Sequence, residues 1–164
     1  GDMDRKHLAQ AALIGVGATA VMDLGAEVIR RATGVPPLNY GLVARWIGHM
    51  GRGRFSHDSI MAAEPVKDEH ELGQIAHYVI GSGFVVALVA LDRDWMDEPK
   101  LLPAMGMGLA TCAAPWLLMQ PAWGLGFAAS KTPEPRTARL RTVRAHAIYG
   151  LGIYLAGKAW QWLR

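Results

Sequence analysis

Asp23 and Glu27 stand one helical turn apart at the end of a stretch, Leu8 to Met22, that holds no charged residue. Two imidazoles have comparable settings, since His77 in "AHYVIG" and His146 in "HAIYGLGIYL" are both embedded in apolar sequence. A carboxylate and two imidazoles on separate helices make a mixed oxygen and nitrogen shell suited to Zn²⁺ or Fe²⁺, the kind of site helical bundles build where facing side chains converge. His49 and His57, both in "GHMGRGRFSH", are the candidate further ligands. Asp23, His77, His146, His49 and His57 are therefore the metal candidates.

The same stretch supports a second chemistry. Gly51 and Gly53 can expose backbone N–H groups, and Arg52 and Arg54 can hold a phosphate or carboxylate bidentately, as in an anionic lipid headgroup or small molecule. A third reading needs no ligand. Glu27 to Arg31 is the favourable i to i+4 order, and Asp23 can pair with Arg31, His77 or His146. The polar cluster then locks helices together, and the chain is a scaffold or a subunit of a homo-oligomer or larger membrane complex.

Signatures of common enzymes are missing: there is no H-E-x-x-H, Walker loop, Gly-x-Ser-x-Gly or C-x-x-C. Aromatic residues are not interleaved with the basic ones as a single-strand binder needs, so no nucleic-acid partner is expected. The single Cys112 cannot form an internal disulfide and reads as a small packing residue.

The elements that must carry these side chains follow from run length. A helix rising about 1.5 Å per residue needs about 20 apolar residues to cross roughly 30 Å of hydrocarbon. Residues 8–29, 72–91, 101–120 and 143–163 qualify. Lipid offers backbone groups no partners, so each run is expected to be helical. The fold class is therefore all-α: a polytopic membrane protein, one four-transmembrane-helix bundle with a long cytoplasmic segment between the first and second helices. A water-soluble bundle would show polar faces at a 3.6-residue period, and polar residues within these runs are isolated. Pro115 frees the Thr111 carbonyl and predicts a kink.

Orientation follows from Lys and Arg. Arg30, Arg31, Arg45, Arg52, Arg54 and Lys67 lie between the first two runs, and Lys131, Arg136, Arg139 and Arg141 lie between the last two. The opposite side has Arg5, Lys6 and the mainly acidic "DRDWMDEPK". The positive-inside rule then places both termini away from the cytoplasm, and the basic segments meet acidic membrane lipids. Trp95, Trp160 and Trp162 at one end, with Trp123 at the other, suggest aromatic belts.

Packing faces are legible as small-residue stripes: Ala12, Val16, Thr19, Ala20, Asp23 and Glu27; Gly73, His77 and Gly81; Ala104, Gly108 and Cys112; His146, Gly150 and Tyr154. Asp23 and Glu27 thus face neighbouring helices. Asp23 lies roughly 9 Å, and His77 roughly 8 Å, inside the cytoplasmic ends of their runs, with His146 about one turn into its own. "GLVARWIGHM" reads as an interfacial amphipathic helix with Leu42, Val43, Trp46, Ile47 and Met50 on one face. "SKTPEPRT" reads as an extended connector.

The ordered motifs "GATAVMDL", "NYGLVARWIGHMGRGRFSH", "AHYVIG", "APWLLMQPAWGLGFAASKTP" and "HAIYGLGIYL" cover nearly the whole chain. In them the sequence resembles the bacterial membrane-protein family called domain of unknown function 2938. The resemblance implies a small multi-pass protein of the bacterial inner membrane and carries over no activity.

Overall fold

The computed structural model describes residues 4–164. It is helical, with no strand among the described residues. Helix α1 spans Arg5–Thr33, beyond the apolar run at both ends. Its start is fixed by Asp4, whose side chain accepts from the His7 N–H at 2.7 Å. Its end is closed by Gly34, left-handed at φ 77°, whose N–H returns to the Arg30 carbonyl. Helix α2 spans Gly41–Met50, the expected "GLVARWIGHM". Helix α3 spans Glu69–Leu91.

Helix α4, Leu101–Ala122, is interrupted. It is α-helical over Leu101–Ala110, and a π-helical turn covers Ala114–Met119 with Pro115 near its start. Because Pro115 has no N–H to give, the register slips, and Gln120 N–H bonds the Pro115 carbonyl five residues back. The expected kink is thus an interruption of the helix. Helix α5, Pro135–Leu163, starts eight residues earlier than its apolar run, so Pro135, Arg136 and Thr137 of the expected extended connector are helical and only its first part, 130–134, is a turn. Pro is well suited to a first turn, where its missing N–H has no partner to lose.

By length and composition three helices, α1, α3 and α4, are apolar enough to cross a membrane. α5 is as long as α1, but His146, Tyr149, Tyr154, Lys158 and Gln161 dilute its apolar character.

The chain forms two compact units. Among the described residues the first comprises 4–37, 78–111 and 144–164; the second comprises 38–77 and 112–143. In the first, Ala11, Ile14, Ala18, Val85, Leu88, Val89, Trp95, Met96, Ala104, Tyr149 and Ile153 form the core. Glycines set its helix spacing. A Cβ on Gly108 would stand 2.5 Å from Gly150 Cα, and one on Gly152 would stand 2.8 Å from the Ala18 carbonyl. The backbones therefore approach as closely as small-residue interfaces allow. The buried face of α1 runs through Ala11, Ile14, Gly15, Ala18 and Thr19, so the expected stripe through Ala12 and Val16 is displaced by about one residue. Ala104, Gly108, Cys112, Gly73, His77, Gly81 and Gly150 are buried as expected.

The second unit packs Leu42, Val43, Ile60 and Trp123. Two tryptophans assigned to interfacial belts belong to cores instead. Trp95 is 1% exposed, with its ring N–H on the Lys100 carbonyl, and Trp123 is 2% exposed. Trp162, at 93% exposed, does project outward.

Candidate functional site

Within the first unit, the polar side chains of the apolar helices are engaged with hydroxyl groups. Tyr78 donates to Asp23 Oδ2 at 2.9 Å, Thr111 Oγ1 lies 2.7 Å from His146 Nδ1, and the Tyr149 hydroxyl donates to the Gly81 carbonyl. Thr19 returns its hydroxyl to the Gly15 carbonyl at 2.7 Å. Glu27 does not reach a neighbouring helix. It holds Arg30 through two hydrogen bonds at 2.6 and 2.9 Å and Arg31 through one at 3.0 Å, all on its own helix. These groups are exposed, so solvent screens the pairs and they add little to stability.

Within the second unit, His77 stacks on Tyr40, with ring centroids 3.7 Å apart and planes 18° from parallel. Gly73 permits this, because a side chain there would overlap the Tyr40 carbonyl. The largest polar construction is built on α2. Arg45 gives Nε and Nη2 to the two oxygens of Glu69 at 3.1 and 2.7 Å, and Nη1 to the carbonyls of Ile60, Met61 and Ala63. Glu69 also accepts from the Val66 N–H at 3.0 Å. His49 Nε2 meets the Glu64 carbonyl at 2.8 Å, and the Trp46 ring N–H donates to the Phe55 carbonyl at 2.9 Å. Residues 55–64 are wound around α2 by three of its side chains.

The face expected of α2 is corrected accordingly. Arg45 and His49, placed away from the apolar face, are buried, whereas Ile47 is 47% exposed. The signal was present in the spacing: Arg45 and His49 are i, i+4 neighbours on one face, and both can bond carbonyls. Glu69 was not legible as the partner, because it lies 24 residues away.

His57 is 6% exposed, and neither of its ring nitrogens has a hydrogen-bond partner. The His49 ring stands edge-on to it at 5.2 Å. Burial, with Arg54 and His49 nearby, pushes the His57 pKa below its ordinary 6.5. Arg52 approaches Glu64 at 3.9 Å, and Arg52 and Arg54 are exposed. Gly53 adopts φ 81°, the left-handed conformation that turns the chain between the two arginines.

Each metal candidate has its own neighbour within its unit. Asp23 and His146 have Tyr78 and Thr111 beside them in one unit, while His77 has Tyr40, and His49 has His57, in the other. Among the described residues no group of three or more His, Cys, Asp or Glu side chains is arranged to hold a metal ion.

Comparison with known proteins adds one family. The model of the family described as "Protein of unknown function (DUF2938)" matches residues 12–160. No curated protein and no solved structure matches the chain.

Proposed function

Since the chain belongs to the DUF2938 family, whose description names no activity, we propose a role from its own side chains: a four-span scaffold of the bacterial inner membrane, built to hold helices together and offer them to other membrane components. One observation carries this reading, the large apolar side chains that the long helices present outward while glycine and alanine sit at their closest contacts. Leu24, Val79, Leu91 and Leu102 are 66%, 64%, 82% and 83% exposed, while Ala11, Ala18 and Ala104 are wholly buried. In water that distribution forfeits the burial of several large side chains, each worth about 1.5–3 kcal/mol. In lipid it costs nothing, and small residues at the contacts maximise backbone packing.

α5 completes the set as the fourth span. Its polar residues have roles compatible with a membrane: the Tyr149 hydroxyl is spent on a carbonyl of α3, and Lys158 lies over the Tyr154 ring at 5.9 Å and reaches Gln161 at 3.4 Å near the helix end. Leu151 and Leu155, 40% and 47% exposed, give it an outward apolar face. Asp23, His77 and His146 serve in this reading as structural hydrogen-bonding groups. A Zn²⁺ or Fe²⁺ site through them has no converging ligand set in its favour.

Cysteine labelling in intact cells tests the topology. With both termini in the periplasm, Asp94→Cys reacts with an impermeant maleimide and Ser130→Cys does not. Labelling of position 130 from outside overturns the orientation, and release of the protein from membranes by alkaline carbonate overturns the membrane reading itself.

A further inference from the structure

Two loops of the second unit present phenylalanines outward. Phe55 and Phe127 are 63% and 64% exposed; Phe55 lies outside every apolar run, and Phe127 lies past the end of α4 at Ala122, in the uncharged stretch that continues to Ser130. The loops are held side by side. His57 N–H donates to the Ala122 carbonyl at 2.7 Å, and Ile60 N–H to the Trp123 carbonyl at 3.2 Å. Trp46 bonds the Phe55 carbonyl and sets its ring edge-on to Trp123 at 6.3 Å. Gly124, at φ 85°, lets the second loop lie directly against the Asp58 carbonyl, where a side chain would overlap it.

The second loop is also held in a costly shape. Ala128 and Ala129 are both left-handed, at φ 48° and 61°, a conformation that residues with a Cβ avoid. Arg139 secures it by donating Nε to the Ala128 carbonyl at 2.6 Å, and the Lys131 N–H bonds the Leu125 carbonyl at 2.8 Å. The fold thus spends backbone strain at the loop that displays Phe127. Arg52, Arg54, Lys131 and Arg136 are exposed in or beside the two loops, against exposed Asp58, Glu64 and Glu134, with Glu64 3.9 Å from Arg52.

We propose that these loops form one interfacial anchor, with Phe55 and Phe127 set into the headgroup and upper acyl layer of the leaflet the chain's helices enter, and with Arg52, Arg54, Lys131 and Arg136 on the phosphates of anionic lipids. The proposal rests on the membrane reading above. Exposed aromatic side chains beside basic ones fit the headgroup layer on both counts, apolar and electrostatic. Each basic residue near an anionic surface strengthens the contact by roughly fivefold at moderate salt, so the lipid's charge is part of the recognition. The positive charge of Arg54 beside His57 also matches a phosphate better than a metal cation.

The test uses the full chain in lipid nanodiscs, with an environment-sensitive fluorophore on Phe55→Cys, Phe127→Cys or, as reference, Val79→Cys; the buried Cys112 does not compete for label. Expected is loss of most emission at 55 and 127 when the lipids carry a nitroxide high on the acyl chain, protection from aqueous iodide, and weaker quenching in phosphatidylcholine alone than with phosphatidylglycerol. Iodide quenching at 55 and 127, with lipid quenching retained at 79, overturns the anchor and leaves the membrane reading standing. Absence of lipid quenching at 79 overturns the membrane reading, and the anchor with it. Shielding of 55 and 127 from both quenchers assigns the loops to a protein partner and overturns the anchor. Equal quenching in both lipids, unchanged by Arg52→Gln with Arg54→Gln, removes the anionic headgroups from the proposal.

Discussion

Arg45 and Glu69 meet through two hydrogen bonds, at 2.7 and 3.1 Å, across 24 residues of sequence, and the pair is largely buried with side-chain exposures of 10% and 20%. Around it Arg45 Nη1 closes on the carbonyls of Ile60, Met61 and Ala63, so the ion pair is also the hub of the loop between α2 and α3. A bidentate fork of this kind fixes orientation as well as distance. The segment from 51 to 68 has only one short 3₁₀ turn, Ile60–Ala62, and takes its shape largely from α2 side chains.

Arg45→Ala takes the fork from a partly buried carboxylate and the side-chain donor from the carbonyls of Ile60, Met61 and Ala63, and should cost about 3 kcal/mol. Arg45→Lys restores the charge without the planar fork and should recover only part of it. Denaturant titration in mild detergent, with Trp46 and Trp123 as fluorescent reporters of the second unit, measures both. Wild-type stability in Arg45→Ala would show that the pair is dispensable.

Gly108 marks the tightest helix approach in the first unit. Gly108→Val places its Cβ 2.5 Å from Gly150 Cα and 2.7 Å from the His146 carbonyl, which are backbone atoms with nowhere to yield. The expected loss is about 3 kcal/mol. A Cβ on Gly106 meets nothing within 4 Å, so Gly106→Ala should be neutral or stabilising by up to about 1 kcal/mol through helix propensity. Thermal unfolding of the two variants side by side decides the point.

His57 links stability to pH. Its pKa in the folded chain lies below 6.5, chiefly through burial, so in acid the unfolded chain binds a proton that the folded chain refuses. Stability is complete above about pH 6.5 and falls as pH drops from there towards the folded pKa. His57→Gln should remove that slope. Unfolding midpoints of wild type and variant between pH 7.5 and 5.5, on the order of the window set by an ordinary histidine pKa, supply the measurement.

Cys112 is the only cysteine and is 4% exposed. Maleimide should react with it only as fast as the chain opens, whereas Ser130→Cys reacts at once in detergent. Mass spectrometry over a labelling time course distinguishes the two, and fast labelling of Cys112 in the native protein would contradict its burial.

Run length alone located the cores of α1, α3 and α4, because crossing hydrocarbon demands a property that composition displays directly. The helix ends were not legible, since Asp4, Gly34 and Pro135 set them outside the apolar runs. Small-residue spacing found the buried stripes of α3 and α4. The site was less visible. Asp23, His77 and His146 were legible as polar groups in apolar helices, but Tyr78 and Thr111 were not, because a tyrosine or threonine in such a run looks like any other semi-polar residue, and Tyr40 was not because it lies outside the runs, just ahead of α2. Arg45 hid for the opposite reason. An arginine beside a membrane reads as interfacial charge, and only the loop wrapped over it makes it a core residue.

The outward apolar side chains and the small residues at the helix contacts are two sets of positions that mutation can address independently. Positions such as Leu24, Val79, Leu91 and Leu102 are mostly exposed, so they can vary among apolar residues, while Gly108 and Gly150 stay closed to any larger residue. The same separation gives a route to a water-soluble analogue: replacing only the outward leucines and valines with Glu, Lys and Gln would leave every internal contact as it is.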